Sequence, residues 1–323
     1  MEETLLKVEN LSTSFFTDKG LLKAVDGVSF QIEAGEMVGL VGESGCGKSV
    51  TSQSILRLYD EKYTAHYNGS IFFNDKDLLK LSGKQMQKIR GCEISMIFQD
   101  ALSSLNPVMK IGDQIKEAFN IHKKISKKDA KESAIRLLEL VGIPSPEKRM
   151  EQYPHELSGG MRQRVMIAIA LACEPKLLIA DEPTTALDVT IQAQIMELIS
   201  KLNKELEMGV ILITHDLAVV AETCKRVMVM YLGQIVEEAM VPDIFIKPLH
   251  PYTKGLIESI PQIESDSAEP LHVIDGIVPL LSQIPEGCRF APRCPYAKEK
   301  CFKEMPELVQ VGENRKVRCW YSE

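Results

Sequence analysis

The residues best suited to chemistry in this sequence form a glycine-rich stretch at 42–49, which reads GESGCGKS. It fits the phosphate-binding pattern of a glycine, four residues, and then glycine, lysine and serine or threonine. The glycines let the backbone turn tightly enough for several amide groups to point at one anion. Lys48 would then reach the outer phosphates, and the hydroxyl of Ser49 would bind magnesium. The stretch predicts a loop that binds the phosphates of a nucleotide.

Two acids follow an apolar run at 177–180, as expected where a buried parallel strand ends at the edge of a sheet. In nucleotide hydrolases with a phosphate loop, an acid at this point holds magnesium, and Asp181 is placed for that role. Glu182 comes next and could polarise an attacking water. The structural alternative is an acidic pair that caps the next helix through Thr184 and Thr185. The phosphate loop upstream favours the catalytic interpretation.

Three further signals are weaker. Ser158, Gly159 and Gly160 precede a predicted helix, where free amides and a hydroxyl suit an anion, although such a sequence is also a common cap. His215 follows another apolar strand and could donate to a γ-phosphate, whereas a lone histidine is usually structural. Phe15 could stack on a purine, but an aromatic residue in a strand more often belongs to the core.

The elements that position these residues predict an α/β fold. Alternating apolar and polar positions in the first forty residues indicate an antiparallel β layer. A strand at 37–41 leads into the phosphate loop and a helix at 49–58 follows it, which is the context that the motif requires. Residues 100–160 have a helical pattern, with one helix that begins at Ser126, and a hairpin at 227–238 closes the α/β part.

Length, charge and hydropathy exclude several classes of protein. The chain has 323 residues, which predicts one large domain and a smaller one. Its net charge of −7 argues against a protein that holds nucleic acid by broad phosphate neutralisation. The longest helical apolar stretch, at 165–173, falls short of the roughly 18 residues that a membrane span needs. The start of the chain lacks the features of a secretory signal, so we expect a cytoplasmic protein.

The eight cysteines fall into two sets, and the second needs its own explanation. One set is scattered through the α/β part as expected for free thiols: Cys46, Cys92, Cys173 and Cys224. The other is gathered in the last 36 residues: Cys288, Cys294, Cys301 and Cys319. Small modules often need a metal in place of a core, although zinc prefers ligand pairs two to four residues apart. An iron–sulfur cluster, zinc and free thiols all remain open from the spacing, and disulfides are disfavoured in a reducing compartment.

Taken in order, these motifs resemble the nucleotide-binding subunit of an ATP-binding cassette (ABC) transporter, a P-loop NTPase. The resemblance spans about residues 5–240 and rests on GESGCGKS, Gln99 after a strand, LSGGM before a helix, LLIADEP, the triplet at 186–188 and His215. Met161 departs from the glutamine that the family most often has. Because that side chain is not the phosphate contact, we expect no loss of function.

The resemblance assigns a role to each matching residue. It implies that fourteen residues contact the nucleotide: Phe15, Gly42, Glu43, Ser44, Gly45, Cys46, Gly47, Lys48, Ser49, Val50, Ser158, Gly159, Gly160 and Asp188. It implies that Mg²⁺ is held by Ser49, Gln99 and Asp181, and that catalysis uses Glu182 as base together with His215, Gln99 and Lys48. Phe15 is expected to stack on adenine, which reverses the core interpretation above. The signature at 158–160 would close over ATP held by a second ABC ATPase subunit.

The rest of the chain narrows the resemblance. ALSSLNP at 101–107 and HPYT at 250–253 are similar to the ATPase subunits of dipeptide, oligopeptide and nickel importers. That group also carries a C-terminal extension with four cysteines, which implies a [4Fe–4S] cluster on the second cysteine set. The expected organisation is a nucleotide-binding domain at 1–240, with a helical subdomain at about 100–165, and a small C-terminal metal-cluster domain at 241–323.

The resemblance implies an ATPase that powers uptake of dipeptides or oligopeptides at the cytoplasmic face of the membrane. Its expected partners are a homologous or identical ATPase, two transmembrane permease subunits and, indirectly, an extracytoplasmic solute-binding protein. An importer of nickel or another small solute is the first alternative. A soluble ABC protein acting on DNA or ribosomes is the second. Such proteins usually carry two cassettes, a long coiled coil or a basic face, and none of these is visible in the sequence.

Overall fold

The computed structural model describes residues 4–18, 20–100, 104–185, 187–260 and 273–322. The strands of this part of the chain follow in order: β1 Thr4–Thr17, β2 Gly20–Glu33, β3 Met37–Val41, β4 Ala65–Phe73, β5 Lys76–Asp77, β6 Ile94–Ile97, β7 Leu177–Asp181, β8 Gly209–Thr214, β9 Arg226–Tyr231, β10 Gln234–Met240, β11 Val309–Gly312 and β12 Arg315–Val317. Residues 101–103 of ALSSLNP and Ala186 lie outside the described residues.

Helices connect the strands and account for most of the middle of the chain. In order they are α1 Lys48–Ile55, α2 Gly83–Ile89, α3 Ile111–His122, α4 Lys127–Leu140, α5 Pro146–Arg149, α6 Gly159–Leu171, α7 Val189–Leu206, α8 Leu217–Thr223, α9 Val241–Ile246, α10 Pro251–Glu258 and α11 Glu299–Lys303. Among the described residues, none of these helices is both long and apolar enough to cross a membrane.

The described residues form two compact units. The first unit contains Thr4, Leu5, Glu33–Glu36 and Lys80–Ile211. The second contains Leu6–Ile32, Met37–Leu79 and the described part of the chain from Leu212 onward.

The first unit contains the predicted helical region. In it β6 and β7 are parallel, with Ile97 opposite Ala180, and α3, α4 and α6 pack against one another. Helix α4 begins where the sequence predicts, because the hydroxyl of Ser126 accepts the N–H of Asp129 at 3.2 Å.

The second unit contains two sheets. The antiparallel layer predicted for the first forty residues is part of a four-stranded sheet in the order β2-β1-β4-β5. In the other sheet the neighbouring strands β11, β12, β10, β9 and β3 follow in that order, with β3 parallel to β9. The predicted hairpin is β9 and β10, which turn at Leu232 and Gly233 with φ of 41° and 80°. Positive φ at both central residues is typical of the type I′ turn, one of the two common two-residue hairpin turns.

The helix after the phosphate loop is shorter than the sequence suggests. It begins at Lys48 and ends at Ile55, rather than running from 49 to 58. Arg57 has φ of 48°, in the left-handed region, where a helix cannot continue. The helical potential of the segment carried no signal for that stop.

Candidate functional site

The phosphate loop lies between β3 and α1, as the motif predicts. Gly42, Gly45 and Gly47 have φ of 151°, 78° and 105°, which side chains rarely adopt. A Cβ at Gly42 would lie 2.2 Å from the carbonyl oxygen of Met230, and one at Gly47 would lie 2.8 Å from the carbonyl oxygen of Ala24. Two of the three glycines are therefore required by space as well as by conformation.

Lys48 and the start of α1 give the loop its positive character. The Lys48 side chain is 5% exposed, and its Nζ donates to the carbonyl oxygens of Gly42 and Glu43 at 2.7 and 3.1 Å. Gly47 is the N-cap of α1 and offers no side-chain cap, and Ser49 lies in the first turn. Amides at a helix N-terminus beside an ammonium group form a site for an anion such as a phosphate. Ser44, Cys46 and Val50 lie within or next to this loop, with Cys46 buried.

The two acids lie at the end of β7 in the first unit. Asp181 is the last residue of the strand and is 2% exposed. Glu182 follows with φ of 46°, an uncommon conformation for a residue with a side chain. Its Oε2 accepts hydrogen bonds from Nε2 of Gln99 at 2.8 Å and from the hydroxyl of Thr185 at 2.9 Å. The structure thus brings Gln99 and Glu182 together. Thr185 also donates a hydrogen bond to the Glu182 carboxylate.

The signature residues stand at the N-terminus of α6. The hydroxyl of Ser158 accepts the N–H of Met161 at 3.4 Å, so Ser158 is the N-cap that the sequence predicts. Ser158 and Gly159 are exposed. A Cβ at Gly160 would lie 3.0 Å from Cγ2 of Ile191, so this glycine permits a close approach. Two exposed residues at the start of a 13-residue helix can receive an anion from outside the chain.

The other predicted site residues lie at the start of a helix, after a strand and within a strand. Asp188 is the N-cap of α7, where its Oδ1 accepts the N–H of Ile191 at 2.9 Å. His215 is exposed directly after β8. Phe15 is half-buried in β1, and its ring packs edge to face with Tyr59 at a centroid distance of 4.8 Å. The contact with Tyr59 orients the ring.

The four C-terminal cysteines meet at one cavity of about 50 Å³ in the second unit. All eight cysteines lie in the described part of the chain, and all have free thiols. Burial raises the pKa of Cys294 to about 11, and it also raises the pKa values of Cys288 and Cys319. Among the described residues, no group of three or more His, Cys, Asp or Glu side chains is arranged to hold a single metal ion.

The structure also reveals contacts of the phosphate loop that the sequence did not indicate. The Glu43 carboxylate pairs with Arg293, and the hydroxyl of Tyr252 accepts the N–H of Glu43. Tyr252 belongs to the HPYT segment, which the sequence marked only through resemblance. Arg293 carried no signal, because its contact spans 250 positions of the chain.

Comparison with known proteins agrees with this geometry. The family model described as ABC transporter matches residues 25–185, and the model described as oligopeptide/dipeptide transporter, C-terminal region, matches residues 236–301. The chain is 54% identical to the oligopeptide transport ATP-binding protein AppD of Bacillus subtilis, over 99% of this chain and 97% of AppD. It is 53% identical to the dipeptide transport ATP-binding protein DppD of the same organism, over 98% of this chain and 95% of DppD.

A solved structure supports the fold and the family. The dimeric structure of the ATP-binding cassette MJ0796 bound to ADP and Pi has a TM-score of 0.66 and 27% identity, and covers 73% of this chain and 98% of MJ0796. The P-loop ATPase fold predicted from the sequence is confirmed by this match. From the phosphate loop, the two acids and these similarities together, the chain belongs to the ABC transporter family, as an ATPase of its oligopeptide and dipeptide importer group.

Proposed function

We propose that this chain is the ATP-hydrolysing subunit of an importer that takes up dipeptides or oligopeptides, and that it works at the cytoplasmic face of the membrane. The observation that carries the proposal is similarity over 99% of the chain to an oligopeptide transport ATP-binding protein. A phosphate loop built on glycines with positive φ and a carboxylate paired with Gln99 supply the chemistry that such a subunit needs. The permease subunits and the solute-binding protein are proposed partners.

The residues of the phosphate loop would bind and orient the nucleotide. The amides from Gly45 to Ser49 would surround the β- and γ-phosphates, and Lys48 would neutralise part of their charge. Phe15 would stack on the adenine. Bound magnesium would screen the phosphate charge, and Ser49, Gln99 and Asp181 are the proposed residues that hold it.

The hydrolytic step would use Glu182 as general base. Its carboxylate already accepts two hydrogen bonds on Oε2, one from Gln99 and one from Thr185, which fix its orientation. A held carboxylate can orient a water for in-line attack on the γ-phosphate and take its proton. His215 would donate a hydrogen bond to the γ-phosphate, and Asp188 would complete the site from the N-terminus of α7.

The exposed signature indicates a second subunit. Ser158 and Gly159 are exposed, and they stand at the start of a helix whose first amides are suited to phosphate. We propose that they close over ATP held by a homologous or identical subunit. ATP shared by two surfaces would favour the closed pair, and hydrolysis would remove that preference.

Replacing Glu182 tests the proposed mechanism. Glu182→Gln keeps an oxygen acceptor for Gln99 and Thr185 but loses the proton acceptor, so turnover should fall by about 10² to 10⁴. ATP binding should remain, and ATP should trap a dimer in size-exclusion chromatography. Thr185→Ala is the matched control, because it removes one hydrogen bond to the carboxylate and leaves the base. Undiminished hydrolysis by Glu182→Gln would refute its role, and wild-type protein without nucleotide binding would refute the proposed function.

We further propose that Cys288, Cys294, Cys301 and Cys319 hold a [4Fe–4S] cluster, in a C-terminal domain at 241–323 that follows a nucleotide-binding domain at 1–240. The four thiols line one cavity, which suits a shared centre. Zinc prefers ligand pairs two to four residues apart, whereas five, six and seventeen residues separate these cysteines in order along the chain. A cluster binds each thiolate to a different iron, so its ligands need not converge.

Anaerobic purification tests the cluster. The protein should contain iron and sulfide and show a brown absorbance that is lost in Cys294→Ser. Cys173→Ser is the matched control, since Cys173 is also buried but lies in the first unit. A colourless protein with stoichiometric zinc would refute the cluster and support a zinc site.

A further inference from the structure

Two side chains from the C-terminal region hold the phosphate loop at Glu43. The hydroxyl of Tyr252 accepts the backbone N–H of Glu43 at 2.7 Å. Nη1 and Nη2 of Arg293 donate to Oε2 and Oε1 of the Glu43 carboxylate at 2.7 and 3.0 Å. A planar pairing at two points fixes orientation as well as distance. The second residue of the loop is therefore positioned by residues 209 and 250 places later in the chain.

Arg293 is itself held rigidly. Its side chain is 4% exposed, compared with 29% for Glu43. Its Nε donates to the carbonyl oxygen of Asp275 at 2.9 Å, and its Nη2 also donates to the carbonyl oxygen of Ile274 at 3.3 Å. Because all three nitrogens of the guanidinium have partners, the side chain has one preferred orientation, and the carboxylate of Glu43 is held with it.

The charge of this pair matters because of where it lies. Glu43 is part of a loop whose amides and lysine are arranged for a polyanion. An unpaired carboxylate at that position would repel a triphosphate, and partial burial would strengthen the repulsion by lowering the local dielectric. The guanidinium of Arg293 cancels the charge without occupying the anion site. Its expected contribution to nucleotide binding is therefore electrostatic as well as geometric.

Arg293 also connects the phosphate loop to the cavity lined by the four cysteines. It precedes Cys294 and ends the short helix Ala291–Arg293. The N–H of Ala291 donates to the carbonyl oxygen of Cys288 at 2.9 Å. The N–H of Cys294 donates to the carbonyl oxygen of Ala291 at 3.3 Å. The segment that carries the guanidinium is thus attached at both ends to cysteines of the cavity.

Aromatic packing forms a second connection. The ring of Phe290 lies 5.3 Å from those of Tyr252 and Tyr231, and all three side chains are buried. Phe290 stands between Cys288 and the turn that carries Arg293, and it lines the same cavity. A shift of the cysteines would therefore displace both side chains that hold Glu43, since a close-packed interior transmits such shifts.

We propose that Arg293 is a positioning residue for the phosphate loop, and that through it the four-cysteine cavity sets the affinity of the loop for MgATP. The inference rests on the proposed ATPase function of the loop. It gives the C-terminal cysteines an effect on nucleotide binding that follows from their packing and does not require a bound metal.

Equilibrium binding of MgATP to the full-length chain tests the first half. Arg293→Gln should raise Kd about tenfold, equivalent to about 1.4 kcal/mol. Arg293→Lys keeps the charge but loses the two-point pairing, so the rise should be about threefold. Removing the repelling charge in Glu43→Gln/Arg293→Gln should recover most of the loss. An unchanged Kd in Arg293→Gln, or no recovery in the double variant, would overturn the electrostatic role.

Arg315→Gln is the matched control. Arg315 pairs with Glu237 at 2.9 Å in the same C-terminal region, with side chains 14% and 0% exposed, and the Glu237 carboxylate accepts the N–H groups of Leu249 and His250 rather than that of Glu43. Its loss should lower the melting temperature without raising the Kd for MgATP. If Arg315→Gln raises Kd as much as Arg293→Gln does, general destabilisation explains both and the inference is wrong.

Cys294→Ser tests the second half. It should raise Kd about threefold in the wild-type background and by less than twofold in the Arg293→Gln background, because both changes act through one contact. Additive effects, or no effect in the wild type, would overturn the connection to the cysteines. Failure of the wild-type chain to bind MgATP would instead refute the proposed ATPase function.

Discussion

Replacing glycines of the phosphate loop separates conformational strain from steric overlap, and Gly42→Ala is the more severe change. A Cβ at Gly42 would lie 2.2 Å from the carbonyl oxygen of Met230 and 2.9 Å from Sγ of Cys46. The nearer atom belongs to the backbone of β9, so no rotamer change relieves the overlap. Strain at φ of 151° adds about 1–3 kcal/mol. We expect a total loss of stability above about 3 kcal/mol.

Gly45→Ala is the matched comparison. Its φ of 78° would also strain an alanine, but a Cβ there meets no atom within 4 Å. The expected loss is therefore the conformational strain alone, about 1–2 kcal/mol. Gly83→Ala supplies the baseline, because Gly83 has neither a positive φ nor a close neighbour and lies in the first turn of α2.

Thermal unfolding without nucleotide measures the three variants, because bound ligand would raise the melting temperature. At about 2–4 °C per kcal/mol, Gly45→Ala should lower the melting temperature by roughly 2–8 °C, and Gly42→Ala by clearly more. Gly83→Ala should not lower it. Equal shifts for Gly42→Ala and Gly45→Ala would show that the overlap with Met230 is relieved at no cost, and would refute this account of the loop.

Two further predictions concern helix caps. Asp188→Ala removes the acceptor for the N–H of Ile191 and should destabilise the chain by about 1 kcal/mol. Asp188→Ser keeps an acceptor, so its melting temperature should lie close to that of the wild type. Equal losses of melting temperature in the two variants would exclude the capping role. The Nδ1 of His250 accepts the N–H of Tyr252 at 3.1 Å, and burial, with a smaller contribution from Arg318, lowers the pKa of His250 to about 3. Its unfolded pKa is about 6.5, so the stability that it contributes above pH 6.5 should be lost as the pH falls toward 3. Melting temperatures between pH 7 and 5 should fall less in His250→Asn than in the wild type, and parallel curves would contradict this assignment.

Local patterns predicted much of the fold and indicated where several of the candidate site residues lie on it. The motif at 42–49 specifies a strand, a turn and a helix within about twenty residues, and the structure has all three. Ser126 and Ser158 cap helices where expected, because capping depends on residues three positions apart. The end of α1 was misplaced because the helical potential of a segment does not show a left-handed residue such as Arg57.

Long-range contacts could not be predicted in this way. The hydrogen bond from Gln99 to Glu182 joins residues 83 positions apart, and the pairing of Arg293 with Glu43 joins residues 250 apart. No periodicity or spacing relates such positions. The gathering of the cysteines at one cavity likewise depends on how the C-terminal segment packs on the aromatic rings of Tyr252 and Phe290.

The sequence by itself determined that this chain carries a phosphate loop, a pair of acids at a strand end and four clustered thiols. Each of these depends on the order of neighbouring residues, and local geometry follows from that order. Only the tertiary structure decided that Glu43 is neutralised by Arg293 and that the same segment lines the cysteine cavity. The reason is that an ion pair depends on the distance between two groups in space and not on their separation in the sequence. Only folding brings residues 250 positions apart to within hydrogen-bonding distance.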